Sequence, residues 1–196
     1  LYMFPFLGRV MVEYRAEGAP PIRANAWQWR LRNFVWSKLG PAFAKIVSSY
    51  VPLRGLRAVL LNTMNRLTLL MAAKLLRGSS TSPPDQIIRY PEKGGFSAYT
   101  FSIWAFPRDE YPQTIRAYFQ FCKDHYKQTG YRCDLLNVGY HIAEDRQSLF
   151  SYTRKSPALT LDPVSTGGPG WPEFLAAYNA FCSHHNGTPL FNQTPA

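Results

Sequence analysis

The sequence predicts an α+β fold: an antiparallel sheet with helices on one face, preceded by a helical basic segment. Three observations predict it. Hydrophobic residues make up 46% of the 196 residues, enough for a packed core. The second half alternates short β-branched or aromatic runs with two helical patterns, in the order strand, helix, strand, strand, helix. The first eighty residues carry 12 Lys and Arg against only Glu13 and Glu17, whereas the rest is charge-neutral.

Leu1 to about Glu17 reads as two strands around Gly8, with Val10, Val12 and Tyr14 alternating with Met11, Glu13 and Arg15. Ala19-Pro20-Pro21 ends that pattern. Helical patterning runs from Asn25, an N-cap residue type, to Leu39. Gly40-Pro41 is expected to stop it, and a second short helix continues to about Tyr50. Pro52 to Arg77 is a long helix, with Leu53, Leu56, Leu60, Met64, Leu67, Met71 and Leu75 forming one continuous apolar face. Arg57, Asn62, Asn65, Arg66 and Lys74 interrupt every window of spanning length, so the helix reads as buried or interfacial. Gly78 to Pro84 is a polar linker, which gives two domains, residues 1–84 and 85–196.

In the second half, Phe96 to Phe106 is strand-like and closed by Pro107. Asp109 to Thr129 is a helix with Tyr111, Ile115, Tyr118 or Phe119, Cys122 and Tyr126 inward, and Gly130 as its cap. Cys133 to Ile142 is a strong strand; Leu149 to Tyr152 and Ala158 to Asp162 are strands that can pair. A Gly167-Gly168-Pro169-Gly170 loop leads to a last helix, Trp171 to His185.

No phosphate-cradling glycine loop, dinucleotide fingerprint or nucleophile elbow occurs. Three cysteines cannot close a disulfide framework; the odd count points to a reducing compartment, with a cytoplasmic setting expected, or to thiols used only as small hydrophobes. Cys122 with His125, and Cys182 with His184 and His185, lack the paired spacing of a structural zinc site; packing thiols are the simpler reading. Asn137 and His141 fall on one face of the strong strand, where polar groups aimed into a pocket would serve catalysis; histidine exchanges protons near neutral pH. The competing reading is a satisfied core polar pair, or a strand-end histidine in solvent.

Between Trp27 and Arg77 there is no acid, while nine Lys or Arg alternate with Trp27, Trp29, Phe34, Trp36 and leucines. This composition suits an anionic membrane surface. The simpler competing reading is a solvated basic face that pairs with acids of another domain. Nucleic acid is disfavoured, because the segment is too apolar and carries no recognition module.

The run Trp171 to Thr194 resembles the C-terminal region of vanillyl-alcohol-oxidase-type flavoproteins, nearest to aldonolactone, alditol and flavin-linked sterol oxidases. There a helix leads to a Gly and a segment that returns to the flavin. Here Gly187-Thr188-Pro189-Leu190-Phe191-Asn192-Gln193 stands in that place, with Phe191 at the aromatic position and Asn192 and Gln193 where the family often has Gly and Lys. Leu135 and Asn137 stand where the family often has a Glu-x-Arg signature, and this departure favours a less polar substrate.

The resemblance implies an FAD oxidoreductase, of which this chain is the cap; combined with the basic aromatic segment from Trp27 to Arg77, it gives a peripheral-membrane enzyme. Its FAD-binding domain would lie upstream in the same protein, and its substrate would be a lipophilic alcohol. It implies His141 and Asn137 as catalytic candidates, Asn192, Gln193 and Phe191 beside the flavin, and Tyr140 and Trp104 toward the substrate. A non-enzymatic membrane or lipid-binding module and a basic scaffold are the alternatives.

Overall fold

The computed structural model describes residues 1–14, 26–75, 99–148, 151, 153 and 155–190. The chain divides into two compact units, Leu1–Met11 with Thr100–Ala196, and Val12–Tyr99. The first two strands thus belong with the second half, which differs from the expected boundary at residue 84.

The α+β unit is built on antiparallel pairing. Strands β1 (Tyr2–Phe4) and β2 (Arg9–Met11) flank a tight turn over Pro5–Leu7 that closes at Gly8. Then come β3 (Thr100–Phe101), β4 (Trp104–Pro107), β5 (Asn137–Val138), β6 (His141–Ile142), β7 (Ala158–Leu161), β8 (Val164–Ser165) and β9 (Thr188–Pro189). The strand orders are β2-β1-β5, β3-β8 and β6-β7-β4-β9.

These ladders are stretches of longer strands. Thr100 faces Ser165, Phe101 faces Val164 and Trp104 faces Leu161, all in one register. The register breaks only around Pro163, which has no N–H to give. Likewise β5 and β6 belong to one strand, joined to β7 through a Val138–Asp162 bridge.

Two helices complete this unit, one after β4 and one after β8. Helix α4 (Tyr111–Thr129) starts on a Tyr-Pro pair and ends at Gly130, whose N–H closes on the Tyr126 carbonyl. Helix α5 (Trp171–His184) follows the predicted glycine loop. With β4, β6, β7 and β9 they give a β-α-β-β-α-β order, the split β-α-β arrangement. Both helices bury their apolar faces in one cluster over the sheet: Tyr118 and Cys122 from α4, Phe174, Tyr178 and Cys182 from α5, and Trp104, Phe106 and Leu161 from the strands. Each large side chain so buried contributes about 1.5–3 kcal/mol.

The turn between β1 and β2 is fastened to the same unit by rings. Phe6 stands edge-on to Tyr126 at 5.6 Å, and the buried Arg132 guanidinium lies 3.7 Å over the Phe6 ring. Burial pulls Arg132 down to about 10. The guanidinium still stays charged near neutrality and holds the ring by a cation–π contact.

The helical unit runs α1 (Ala26–Phe34), a π-helical turn (Val35–Leu39), α2 (Gly40–Tyr50) and α3 (Arg54–Leu75). Gly40-Pro41 does not stop the first helix, contrary to the sequence expectation. The Gly40 N–H reaches back five residues to the Val35 carbonyl, so the turn widens by one residue instead of ending. The widening removes the clash that Pro41 would make in a regular α-turn. A Cβ at Gly40 would lie 2.9 Å from the Val35 oxygen, so the close approach needs glycine.

In α3 the expected single apolar face is divided. Leu61 and Asn65 are buried, whereas Leu56, Val59, Leu67 and Leu70 are exposed. Leucines surround this helix, so spacing alone could not say which face turns inward.

Candidate functional site

The centre of the α+β unit is the crossing of the 137–142 strand with β7. Val138 faces Asp162, His141 faces Leu159 and Ile142 faces Ala158. At the rung between, Thr160 N–H donates to the Tyr140 carbonyl at 2.9 Å. The return bond is rerouted. Tyr140 N–H donates to Thr160 Oγ1 at 2.9 Å, and the Thr160 carbonyl accepts the Tyr111 hydroxyl at 2.5 Å. Gly139 sits against this exchange: a Cβ there would stand 2.3 Å from the Thr160 oxygen and 2.8 Å from Tyr111 Oη. Only glycine lets the strand come so near.

Asp162 lies two residues along β7 from Thr160, on the same face. It is buried, and its Oδ2 accepts a 3.3 Å hydrogen bond from Thr160 Oγ1. Its Oδ1 has no hydrogen-bond partner among the described residues. Burial pushes the Asp162 carboxyl well above its ordinary range, and the Thr160 hydroxyl opposes this only in part. Burial also raises the Tyr111 phenol, with the nearby Asp162 charge adding to it. The Tyr178 hydroxyl donates to the next carbonyl of the strand, Leu161 O, at 2.5 Å. Two helices thus each commit a phenol to successive β7 carbonyls, and a carboxyl that favours its protonated form sits beside them. All three groups are enclosed, so the cluster ties the two helices to the sheet rather than presenting a group to solvent.

Asp162 was legible only as the end of a strand. The signal was its place in Ala-Leu-Thr-Leu-Asp-Pro: an acid in step with Ala158 and Thr160, inside an otherwise apolar run.

The sequence candidates are spread out. Asn137 is fully enclosed; its Nδ2 donates to Tyr118 Oη at 2.8 Å, and its Oδ1 accepts the Val164 N–H at 3.4 Å. It is a satisfied core group tying α4 to β8, not a group aimed at a substrate. His141 is exposed at the strand end, beside Tyr140, which is 52% exposed. The strand runs from a position covered on both sides, between β1 and β7, to the edge of the sheet. The structure therefore does not bring Asn137 and His141 together. Trp104 is buried, with Nε1 donating to Asn179 Oδ1 at 3.1 Å, so its indole belongs to the core.

Phe191, Asn192 and Gln193 lie outside the described residues, as do parts of the expected strands at Phe96 and Leu149. The chain leading to the tail is described: β9 pairs with β4, and Leu190 N–H donates to the Ile103 carbonyl at 3.1 Å.

Cys122, Cys133 and Cys182 are buried free thiols. Burial pushes Cys122 up to about 12, which keeps it protonated and unreactive. Among the described residues no three His, Cys, Asp or Glu side chains gather as a metal-binding group. No protein-family model, curated protein or solved structure matches the chain.

Proposed function

We propose that the chain is the substrate-covering portion of an FAD-linked oxidoreductase that oxidises the CH–OH group of a small lipophilic alcohol. The flavin would be held by an upstream domain of the same protein. The observation that carries this reading is the path of the last strand. Pairing of β9 with β4, and of Leu190 with Ile103, fixes the chain up to residue 190 at the edge of the sheet, directly before the segment that begins at Phe191. That segment resembles the stretch that returns to the flavin in vanillyl-alcohol-oxidase-type enzymes.

FAD, when bound, accepts a hydride from the substrate carbon. This chain contributes the rest. His141 takes the proton of the substrate hydroxyl, and Tyr140 beside it lines the approach. By the resemblance, Phe191, Asn192 and Gln193 would be the residues that meet the cofactor. Asn137 and Trp104 hold the scaffold. The chain has no phosphate-binding loop, which fits a division of labour in which the other domain grips the nucleotide.

The test is to purify the intact protein with its upstream segment and record its visible spectrum. Bound flavin gives a yellow protein, and an added lipophilic primary or secondary alcohol bleaches it without oxygen. A colourless intact protein removes the enzyme reading. The second reading, a lipid-binding module without catalysis, is favoured by the exposed apolar residues of α3.

A further inference from the structure

We infer that the helical unit Val12–Tyr99 docks in the plane of an anionic lipid surface through two exposed stripes, one on α1 and one on α3. The inference stands on this unit alone and does not need the flavin reading.

On α1, Trp27, Leu31 and Phe34 fall at steps of four and three and share one face. All three are exposed, Trp27 at 59%. Arg30 and Lys38 are exposed at their flanks. On α3, Leu56, Val59, Thr63, Leu67 and Leu70 recur at steps of three and four and are exposed, Leu67 at 61%. Arg66 and Lys74 are exposed beside them. Large apolar side chains ordered on a face in this way mark an interaction surface.

Charge decides the partner. The segment from Trp27 to Arg77 holds nine Lys or Arg and no acid. Arg32 pairs with Glu13 of the same unit at 3.3 Å, while Arg30, Lys38, Arg66 and Lys74 are exposed beside the stripes. An acidic protein surface would complement the same cations and aromatic side chains, and the vesicle test below separates it from lipid. Anionic lipid complements both features: phosphate and carboxylate headgroups meet Arg and Lys, and Trp27 sits at headgroup depth. No helix among the described residues is long and apolar enough to cross a membrane. Helix α3, 22 residues or roughly 33 Å long, would therefore lie along the surface with its outer leucines in the acyl boundary.

The test is co-sedimentation of the intact protein with phosphatidylserine–phosphatidylcholine vesicles and with pure phosphatidylcholine vesicles. Binding is expected to the first and to weaken as salt rises. Reversing Arg66 and Lys74 to Glu is expected to lower the bound fraction about tenfold or more, because each cation near such a surface adds appreciably to binding. Leu67→Glu with Leu70→Glu is expected to abolish binding while circular dichroism stays that of the parent, since both positions are exposed. The proposal is overturned if the parent does not sediment with anionic vesicles, or if the leucine variant sediments as well as the parent. It is also overturned if those leucine changes instead dissolve a dimer that has no affinity for vesicles.

Discussion

The hydroxyl of Tyr111, the first residue of α4, occupies the carbonyl of Thr160 that the Tyr140 amide would take in a regular ladder. The helix is thereby stitched into the strand, and the threonine side chain serves as a replacement acceptor. Tyr111→Phe deletes the donor and leaves a buried carbonyl unpaired, which costs about 1–3 kcal/mol. The urea midpoint should fall accordingly, with the slope of the transition unchanged. An unchanged midpoint would mean that Tyr140 N–H swings back to the freed oxygen.

Gly139→Ala is the steric counterpart. The new methyl would meet the Thr160 oxygen at 2.3 Å, and backbone cannot yield as a side-chain tip can. The expected loss is about 2 kcal/mol or more, read from the same unfolding curve. Little or no loss would show that the two strands can separate locally without breaking the rung.

Asp162 gives the unit a signed pH dependence. Its carboxyl is raised by burial, so the folded chain keeps a proton that the unfolded chain releases once the pH passes the ordinary value of 3.8. Stability from this group therefore falls as pH rises above that value, and levels off only beyond the raised folded value. Asp162→Asn keeps an acceptor for the Thr160 hydroxyl but cannot ionise. Denaturant midpoints across the acid-to-neutral range should decline in the parent more than in the variant. Parallel curves for the two proteins would show that Asp162 is ionised in the fold.

Asn137→Ala strips partners from Tyr118 and from the Val164 amide at once. A loss of about 2–3 kcal/mol is expected, as for other buried polar groups left unpaired. His141→Ala, at an exposed strand end, should change stability by no more than about 0.5 kcal/mol. In the intact protein it should slow alcohol-dependent flavin reduction by about a hundredfold, the scale of a lost general base. Equal rates for parent and His141→Ala would remove His141 from the chemistry and leave the flavin proposal to be judged on its spectrum.

The helices that close the core were the most legible part of the sequence. Asp109–Thr129 and Trp171–His185 differ from the observed α4 and α5 by two residues and one, because a Pro in the first turn and a Gly or polar stop frame strongly periodic faces. Strand pairing was not legible. That β1 lies against β5, 136 positions away by the Tyr2–Val138 register, depends on contacts that local pattern does not encode. The Asn137–His141 pairing rested on alternation along a strand. Alternation gives a residue's side of the sheet, but not whether that side is covered. Asn137 enters the interior and His141 leaves it, on one strand.

The widened turn at Val35–Leu39 sets the phase of everything after it. Each residue of an α-helix advances the side-chain direction by about 100°. Continued without the extra residue, the outward row of Trp27, Leu31 and Phe34 would arrive next at Pro41, which is buried. One residue later it passes the half-buried Ala42 and reaches Ile46 and Tyr50, both exposed. Gly40 and Pro41 thus act as a clutch that keeps one helical row pointing outward from residue 27 to residue 50. Removing a single residue from the turn would rotate the aromatic end of that row out of line with its far end, with no change to any residue on the row.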